Sequence, residues 1–463
     1  MASTPSTTNV HFIAIGGAAM HNLAIVLHQK GFHVTGSDDE IYEPSKTRLA
    51  NHGLLPEEMG WFPEKIHAGL DAVILGMHAR KDNPELLKAQ ELGLRIFSYP
   101  EYIFEQSRNK QRIVIAGSHG KTTTTSMVLH VLNYLGRKFD YLVGARIEGF
   151  DNMVKLSDDA PIIVIEGDEY FSSPIDRRPK FLHYQPHIAL ISGIAWDHIN
   201  VYPEFENYVH QFELLADAIP KAGFLIYDKT DDLLSVLCRK ERPDVQAIGY
   251  KAHPHVIREG KTYLITPQNQ EVSVEVFGEH NMKNLSGAKA ICERIGIEAE
   301  PFYEAIQSFK GAANRLEVVR RTDNTVIFRD FAHAPSKLEA TTSAVKSQFP
   351  THRLIACVEL HTFSSLNKYF LDQYKNTFNQ PDVAVVYYSP RTIKHKKLTP
   401  IEPADVIEAF NNSNLKVFTD NQELKQFLLS QNWQNTNLLL MSSGTYDGLN
   451  IPEMASEILG EAS

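Results

Sequence analysis

The strongest chemical signal is the run Ala116-Gly117-Ser118-His119-Gly120-Lys121-Thr122, which follows an apolar strand and opens a helix. Glycines there let backbone N–H groups turn toward phosphate oxygens. Lys121 can reach the β/γ phosphates of a nucleotide, and the Thr122 hydroxyl can ligate Mg²⁺. The common loop begins with a glycine five residues before its second; Ile115 holds that place here. Gly117, Ser118, His119, Gly120, Lys121, Thr122 and Thr123 are therefore read as the ATP-phosphate loop. The alternative is an ordinary strand–helix turn.

Such a loop needs metal ligands. Glu166 ends the next apolar strand, and His198, in Trp196-Asp197-His198, lies just past the third. Open α/β sheets gather ligands at the carboxyl ends of their strands, so Thr122, Glu166 and His198 are candidate phosphate- or metal-competent groups; a solvated turn at Glu166 and a structural histidine at 198 are the alternatives. His280 and Asn281 lead into a helix expected over Asn284–Ile295, and with Asn284 they could read adenine or cap that helix. Arg315, in Gly311-x-x-x-Arg315-x-Glu317, could reach a γ-phosphate as an arginine finger does, or form a surface pair with Glu317. Asp330 ends a further strand, where it could hold a ribose hydroxyl or an arginine.

A second loop, Gly16-Gly17-Ala18-Ala19-Met20, follows the first strand, and Ser37 and Asp38 end the next one. This approaches a dinucleotide fingerprint, yet the glycines are adjacent and the third is absent. A nicotinamide-dependent oxidoreductase is the first rival. The better phosphate loop at Lys121 speaks for ATP at one site and a nucleotide-linked substrate at the other. A second rival, an ATP-switched binding protein, would have no need of a second metal site.

These residues must be positioned by alternating strands and helices. Three times an apolar run gives way to a Gly-, Ser- or Asp-rich turn and a helical stretch, starting at Val10, Arg112 and Thr325. That alternation implies parallel sheets covered on both faces. Thr262–Val276 alternates instead like an antiparallel hairpin. The expected architecture is α/β in three domains. Residues 1–108 would be Rossmann-like, 109–311 a P-loop ATPase-type parallel sheet with a small antiparallel addition, and 312–463 Rossmann-like. Polar joints near 106–110 and 310–314 would separate them.

The 463 residues bear 46 Lys+Arg against 56 Asp+Glu, a net charge of −10, which argues against general nucleic-acid binding. Cys238, Cys292 and Cys357 are too few and too scattered for a disulfide framework or a zinc site. No apolar run approaches membrane-spanning length. A cytoplasmic protein is expected.

Taken in order, IGGAAM with GSD, GSHGKTTTT, EGDEY, WDH, GEHNMKN, GAANRLE and FRDFAHAP resemble the Mur ligases nearly end to end. The resemblance implies ATP-dependent amide formation on UDP-N-acetylmuramate in peptidoglycan building or recycling, with ATP and Mg²⁺. It implies that Gly16–Met20, Ser37 and Asp38 hold the UDP-sugar, the middle domain holds ATP, and the third domain holds the amine. Lys121, Glu166, His198 and Arg315 would be the catalytic set, with Thr122, Glu166 and His198 as the Mg²⁺ ligands. Ser37–Leu49 and Asp176–Tyr184 resemble the branch that adds a recycled tripeptide; the sister branch adds L-alanine. Folylpolyglutamate synthetase shares the middle-domain chemistry but not the first-domain loop. The chain departs from the family at Phe331, at His333-Ala334 and at His361-Thr362, where L-alanine-adding members tend to have His-Arg. His333 and His361 are therefore amine-site candidates, and Arg177 and Arg178 could recognise an anionic part of that substrate or form a basic surface loop.

Overall fold

The structure is a computed structural model. It describes residues 7–145, 147, 149–150, 152–196, 199–238 and 242–460. His198 lies outside these residues.

Contacts gather the chain into two compact units. The first comprises Met1–Gly117, Leu132–Ser192 and Val209–Gly249, and the second Ser118–Val131, Gly193–Tyr208 and Tyr250–Ser463. The fold is α/β with sheets that are mostly parallel.

The first unit opens with a four-stranded parallel sheet of order β2-β1-β3-β4. Its strands are β1 (Asn9–Ile13), β2 (His33–Ser37), β3 (Ala72–Leu75) and β4 (Ile96–Ser98). Every side chain of β3 is buried, as expected of a strand covered on both faces. A seven-stranded sheet follows, made of β5 (Gln111–Ala116), β6 (Asp140–Leu142), β7 (Val154–Lys155), β8 (Ile162–Glu166), β9 (Ile188–Ile191), β10 (Phe224–Asp228) and β11 (Gln246–Tyr250). Its order is β11-β10-β9-β5-β8-β6-β7. β5 lies between β8 and β9, parallel to both, with Ile115 opposite Glu166 and Ala116 opposite Ile191. The C-terminal ends of the phosphate-loop strand, the Glu166 strand and the strand leading to Trp196 are thus immediate neighbours.

The second unit holds an antiparallel sheet of β12 (His255–Arg258), β13 (Lys261–Ile265) and β14 (Glu271–Val274). The expected hairpin is its last two strands. Its other sheet contains β15 (Glu317–Arg321), β16 (Val326–Asp330), β17 (Arg353–Leu360), β18 (Val383–Tyr388), β19 (Lys416–Phe418) and β20 (Thr436–Met441), in the order β15-β16-β20-β17-β18-β19. Only the edge strand β15 is antiparallel to its neighbour. Val326, Phe328, Ala356, Val358 and Leu439 form its core with Phe277 and Leu338.

One helix begins earlier than its sequence suggests. Expected from Asn284, it spans Glu279–Arg294. Gly278 makes the break, at φ +87, where a Cβ would lie 2.4 Å from that of Ala344. His280 and Asn281 therefore sit inside the first turn rather than ahead of it.

Candidate active site

The phosphate loop is shaped by two glycines in left-handed conformations, Gly117 at φ +125 and Gly120 at φ +76. The helix Lys121–Tyr134 starts directly after it. A Cβ at Gly120 would lie 2.3 Å from Asn284 Oδ1. Asn284 also accepts from Thr124 Oγ1 at 3.4 Å and donates to Asn281 Oδ1 at 3.4 Å, while Asn281 donates to the Phe277 carbonyl at 2.9 Å. Both asparagines are buried, and their side chains brace the loop from the Glu279–Arg294 helix. His280, half-buried, has an Nδ1 sealed from solvent with no hydrogen-bond partner. Burial, helped by His119, pulls its imidazole down to about 4, so the ring is neutral at pH 7.

Ser118 is committed elsewhere. Its hydroxyl shares a hydrogen bond with Tyr208 at 2.8 Å and accepts the Ala195 N–H at 2.9 Å, and its own N–H donates to the Gly193 carbonyl at 2.9 Å. Gly193 in turn has no room for a side chain, because a Cβ would sit 2.2 Å from His119 Cε1. Thr122 and Thr123 are buried in the first helical turn and Lys121 is half-buried. Glu166, half-buried at the end of β8, accepts the Gly144 N–H at 3.0 Å. Carboxylate and hydroxyl oxygens are the donors Mg²⁺ prefers, so the chemistry of Thr122 and Glu166 fits that ion.

In the first sheet, Asp38 is buried and accepts the Gly16 N–H at 2.7 Å. Burial raises its carboxyl above the usual range, against the pull of that N–H. Ser37 is buried too, and its carbonyl takes the N–H groups of Ala14 and Ile15 at 2.9 and 3.1 Å. Gly16 cannot carry a side chain, since a Cβ would lie 2.8 Å from Ile41. The helix Ala18–Gln29 starts at Gly17 with no side-chain cap, which leaves the N–H groups of Ala18, Ala19 and Met20 available to an anion.

At Arg315 the backbone is contorted, with Gly311 at φ +111, Asn314 at φ 55 and Leu316 at φ 46. Asp330 holds it: its carboxylate accepts the Leu316 and Ala332 N–H groups, each at 2.7 Å. Burial pushes that carboxyl up; Arg315 and the two N–H groups pull the other way. The Arg315 guanidinium lies 4.5 Å from the centroid of the Phe331 ring. Glu317 pairs with Arg329 at 3.0 Å.

His333 is buried with Nδ1 2.8 Å from the Phe331 carbonyl oxygen. His361, half-exposed, stands 3.5 Å from Glu359. Glu359 escaped the sequence reading. It is buried at the end of β17, accepting the Tyr446 N–H at 2.8 Å and the Ser442 hydroxyl. Its place at a strand end was the available signal. Arg177 and Arg178 belong to the first unit, and His333, His361 and Glu359 to the second. Arg178 forms a two-pronged pair with Asp176, at 3.0 and 2.7 Å, and Arg177 stacks on Phe171 at 4.8 Å.

Three family descriptions match successive parts of the chain: "Mur ligase family, catalytic domain" over residues 9–111, "Mur ligase middle domain" over 115–292, and "Mur ligase, glutamate ligase domain" over 314–444. The chain is 30% identical to a UDP-N-acetylmuramate–L-alanine ligase of Sulfurihydrogenibium over 93% of each protein. It is 26% identical to the UDP-N-acetylmuramate–L-alanyl-γ-D-glutamyl-meso-2,6-diaminoheptandioate ligase of Haemophilus influenzae, over 95% of this chain and 97% of that one. Its fold resembles a murein peptide ligase of Psychrobacter arcticus, with TM-score 0.64 and 23% identity over 98% of this chain and all of the other. It also resembles a UDP-N-acetylmuramate–alanine ligase of Thermotoga maritima, with TM-score 0.69 and 20% identity over 98% of each. The chain belongs to the Mur ligase family, the ATP-dependent ligases that form amide bonds in peptidoglycan synthesis.

Proposed function

We propose that the enzyme joins the carboxylate of UDP-N-acetylmuramate to the amino group of L-Ala-γ-D-Glu-meso-diaminopimelate, in peptidoglycan recycling in the cytoplasm. Residues 1–108 would hold the UDP-sugar, 109–311 ATP and 312–463 the peptide.

The observation that carries the peptide acceptor is Thr362. L-Alanine offers one carboxylate beside its reacting amine, and gripping it takes a cation at that spot. Thr362, next to His361, instead closes a turn. Its N–H and hydroxyl both donate to Ser365 Oγ at 2.9 Å, and its Oγ1 accepts the Ser365 N–H at 3.0 Å. The nearly end-to-end match to the Haemophilus enzyme supports the same reading. The Sulfurihydrogenibium relative, together with His361, favours a second one, L-alanine addition in de novo synthesis.

In the first step ATP phosphorylates the muramic acid carboxylate, giving an acyl phosphate and ADP. The amine then attacks the acyl carbon and phosphate leaves. Two anions must meet, so charge neutralisation and positioning carry most of the catalysis. Lys121 neutralises the β/γ phosphates and Arg315 the γ-phosphate. Thr122 would hold one Mg²⁺, and Glu166 and His198 would hold a second. When bound, Mg²⁺ supplies further neutralisation of the anionic oxygens. Backbone N–H groups of Gly117–Thr123, that of Ser118 excepted, would cradle phosphate, and His280, Asn281 and Asn284 would border the base. An α-amino group has a pKa near 7.7–8.0, so roughly a tenth is already the neutral nucleophile at pH 7. His333 and His361 would orient it.

Phosphate release with ATP, Mg²⁺ and UDP-N-acetylmuramate, compared with L-alanine or the tripeptide as amine, tests the proposal. Turnover with the tripeptide supports it. Turnover with L-alanine alone replaces it with the second reading, and silence with both ends the acceptor assignment.

A further inference from the structure

β17 and β18 are parallel neighbours, in register from Ile355 opposite Val383 to Leu360 opposite Tyr388. The chain leaving β17 makes the turn at 361–366, and the chain leaving β18 enters the short helix Pro390–His395. The two exits therefore start side by side. The first has no Lys or Arg from His361 to Asn367, and the Thr362 and Ser365 hydroxyls are spent on each other.

The second exit is the reverse. Arg391, Lys394, Lys396 and Lys397 fall within seven residues, and no acid occurs between Ser389 and Ile401. Arg391, Lys394 and Lys397 are exposed. Among the described residues none of the four has a carboxylate within ion-pair distance. Lys368, by contrast, is already held by Asp405 at 2.9 Å. Asp447, which accepts from Ser389 Oγ at 3.3 Å, is the acid that reaches the start of this helix. In a chain of net charge −10, an unneutralised run of this kind is a local reversal of sign. It is also tied to the neighbouring exit: the Lys396 ammonium lies 4.5 Å from the centroid of the exposed Phe363 ring, two residues from His361.

We propose that Arg391, Lys394 and Lys396 form a carboxylate-binding subsite that selects a polyanionic peptide acceptor over a single amino acid. The inference rests on the tripeptide reading above and deepens it. In L-Ala-γ-D-Glu-meso-diaminopimelate the reacting amine is at one end, and the free carboxylates of the D-Glu and diaminopimelate residues lie further along. An amine beside His361 leaves those carboxylates to be met by cations one step away, across Phe363. L-Alanine is too short to use them.

The test uses the full-length enzyme with ATP, Mg²⁺ and UDP-N-acetylmuramate, reading phosphate release. The acceptors are the tripeptide, the same peptide with its carboxylates amidated, and L-alanine. In Arg391→Gln/Lys394→Gln/Lys396→Gln the KM for the tripeptide should rise about tenfold or more, with the KM values for ATP and UDP-N-acetylmuramate unmoved. The amidated peptide should be as poor a substrate for the wild type as for the triple variant. Lys396→Arg should keep the wild-type KM. An unchanged tripeptide KM in the folded triple variant overturns the subsite while leaving the tripeptide reading intact. A rise in the KM for ATP or the UDP-sugar instead gives the patch to phosphates and overturns it too. If the wild type turns over L-alanine alone, the tripeptide reading itself falls and takes the subsite with it.

Discussion

Gly120 and Asn284 compete for one space: a single carbon added to the glycine would sit 2.3 Å from the asparagine's side-chain oxygen. The phosphate loop is therefore moulded against the Glu279–Arg294 helix as well as by its own glycines. Asn284→Ala removes that support and the contacts to Thr124 and Asn281. The KM for ATP should rise about tenfold, with the KM for UDP-N-acetylmuramate little changed. Gly120→Ala should be worse, losing at least about a hundredfold in ADP formation, because crowding adds to the strain of a left-handed φ. The double variant relieves the crowding but not the strain, so it should recover part of the activity. Steady-state kinetics on the three folded variants check this. A Gly120→Ala enzyme with wild-type kinetics would show that the loop and helix do not constrain each other.

His280 gives a pH signature. Its imidazole titrates near 6.5 in the unfolded chain and is pulled down to about 4 in the fold. A depressed pKa means that the unfolded state binds the extra proton first. The stability associated with a neutral His280 is therefore complete above pH 6.5 and drains away as pH falls toward 4. His280→Gln carries no titrating group there. Thermal melts of both proteins from pH 7.5 to 4.5 should show the wild type losing several degrees more than the variant, with the gap opening below pH 6.5. Parallel losses at every pH would remove His280 as the source.

Much of this was legible in the sequence because the elements are self-announcing. An apolar run such as Ile113–Ala116 ahead of a glycine-rich turn can hardly be other than a buried parallel strand feeding a helix. Gly117, Lys121, Glu166 and Asp38 were read from the same logic, as chemistry placed at strand ends. What escaped the reading is long-range commitment. Nothing local to Ser118 says that its hydroxyl meets Tyr208, and nothing near Asn284 says that it abuts Gly120. β4 is three residues long and leaves no run to detect. The commitment of Arg178 is local instead: its partner, Asp176, stands two residues away in the sequence.

Asp38 separates two roles that its position alone would allow. A carboxylate at the end of β2 could touch the nucleotide directly or could shape the loop that does. The 2.7 Å bond from the Gly16 N–H and the near-complete burial of the side chain favour the second. A loop-shaping role needs an acceptor oxygen, not a charge, and burial already disfavours the charge by raising the carboxyl's pKa. Asp38→Asn keeps an oxygen that can accept from Gly16, so it should hold the KM for UDP-N-acetylmuramate within about threefold of wild type. Asp38→Ala leaves the Gly16 N–H without that acceptor, and loss of such a bond is worth about 1–3 kcal/mol, or roughly tenfold or more in KM. Both variants should leave the KM for ATP alone. If Asp38→Asn proves as damaging as Asp38→Ala, the charge itself matters, and Asp38 belongs to substrate recognition rather than to the architecture of the loop.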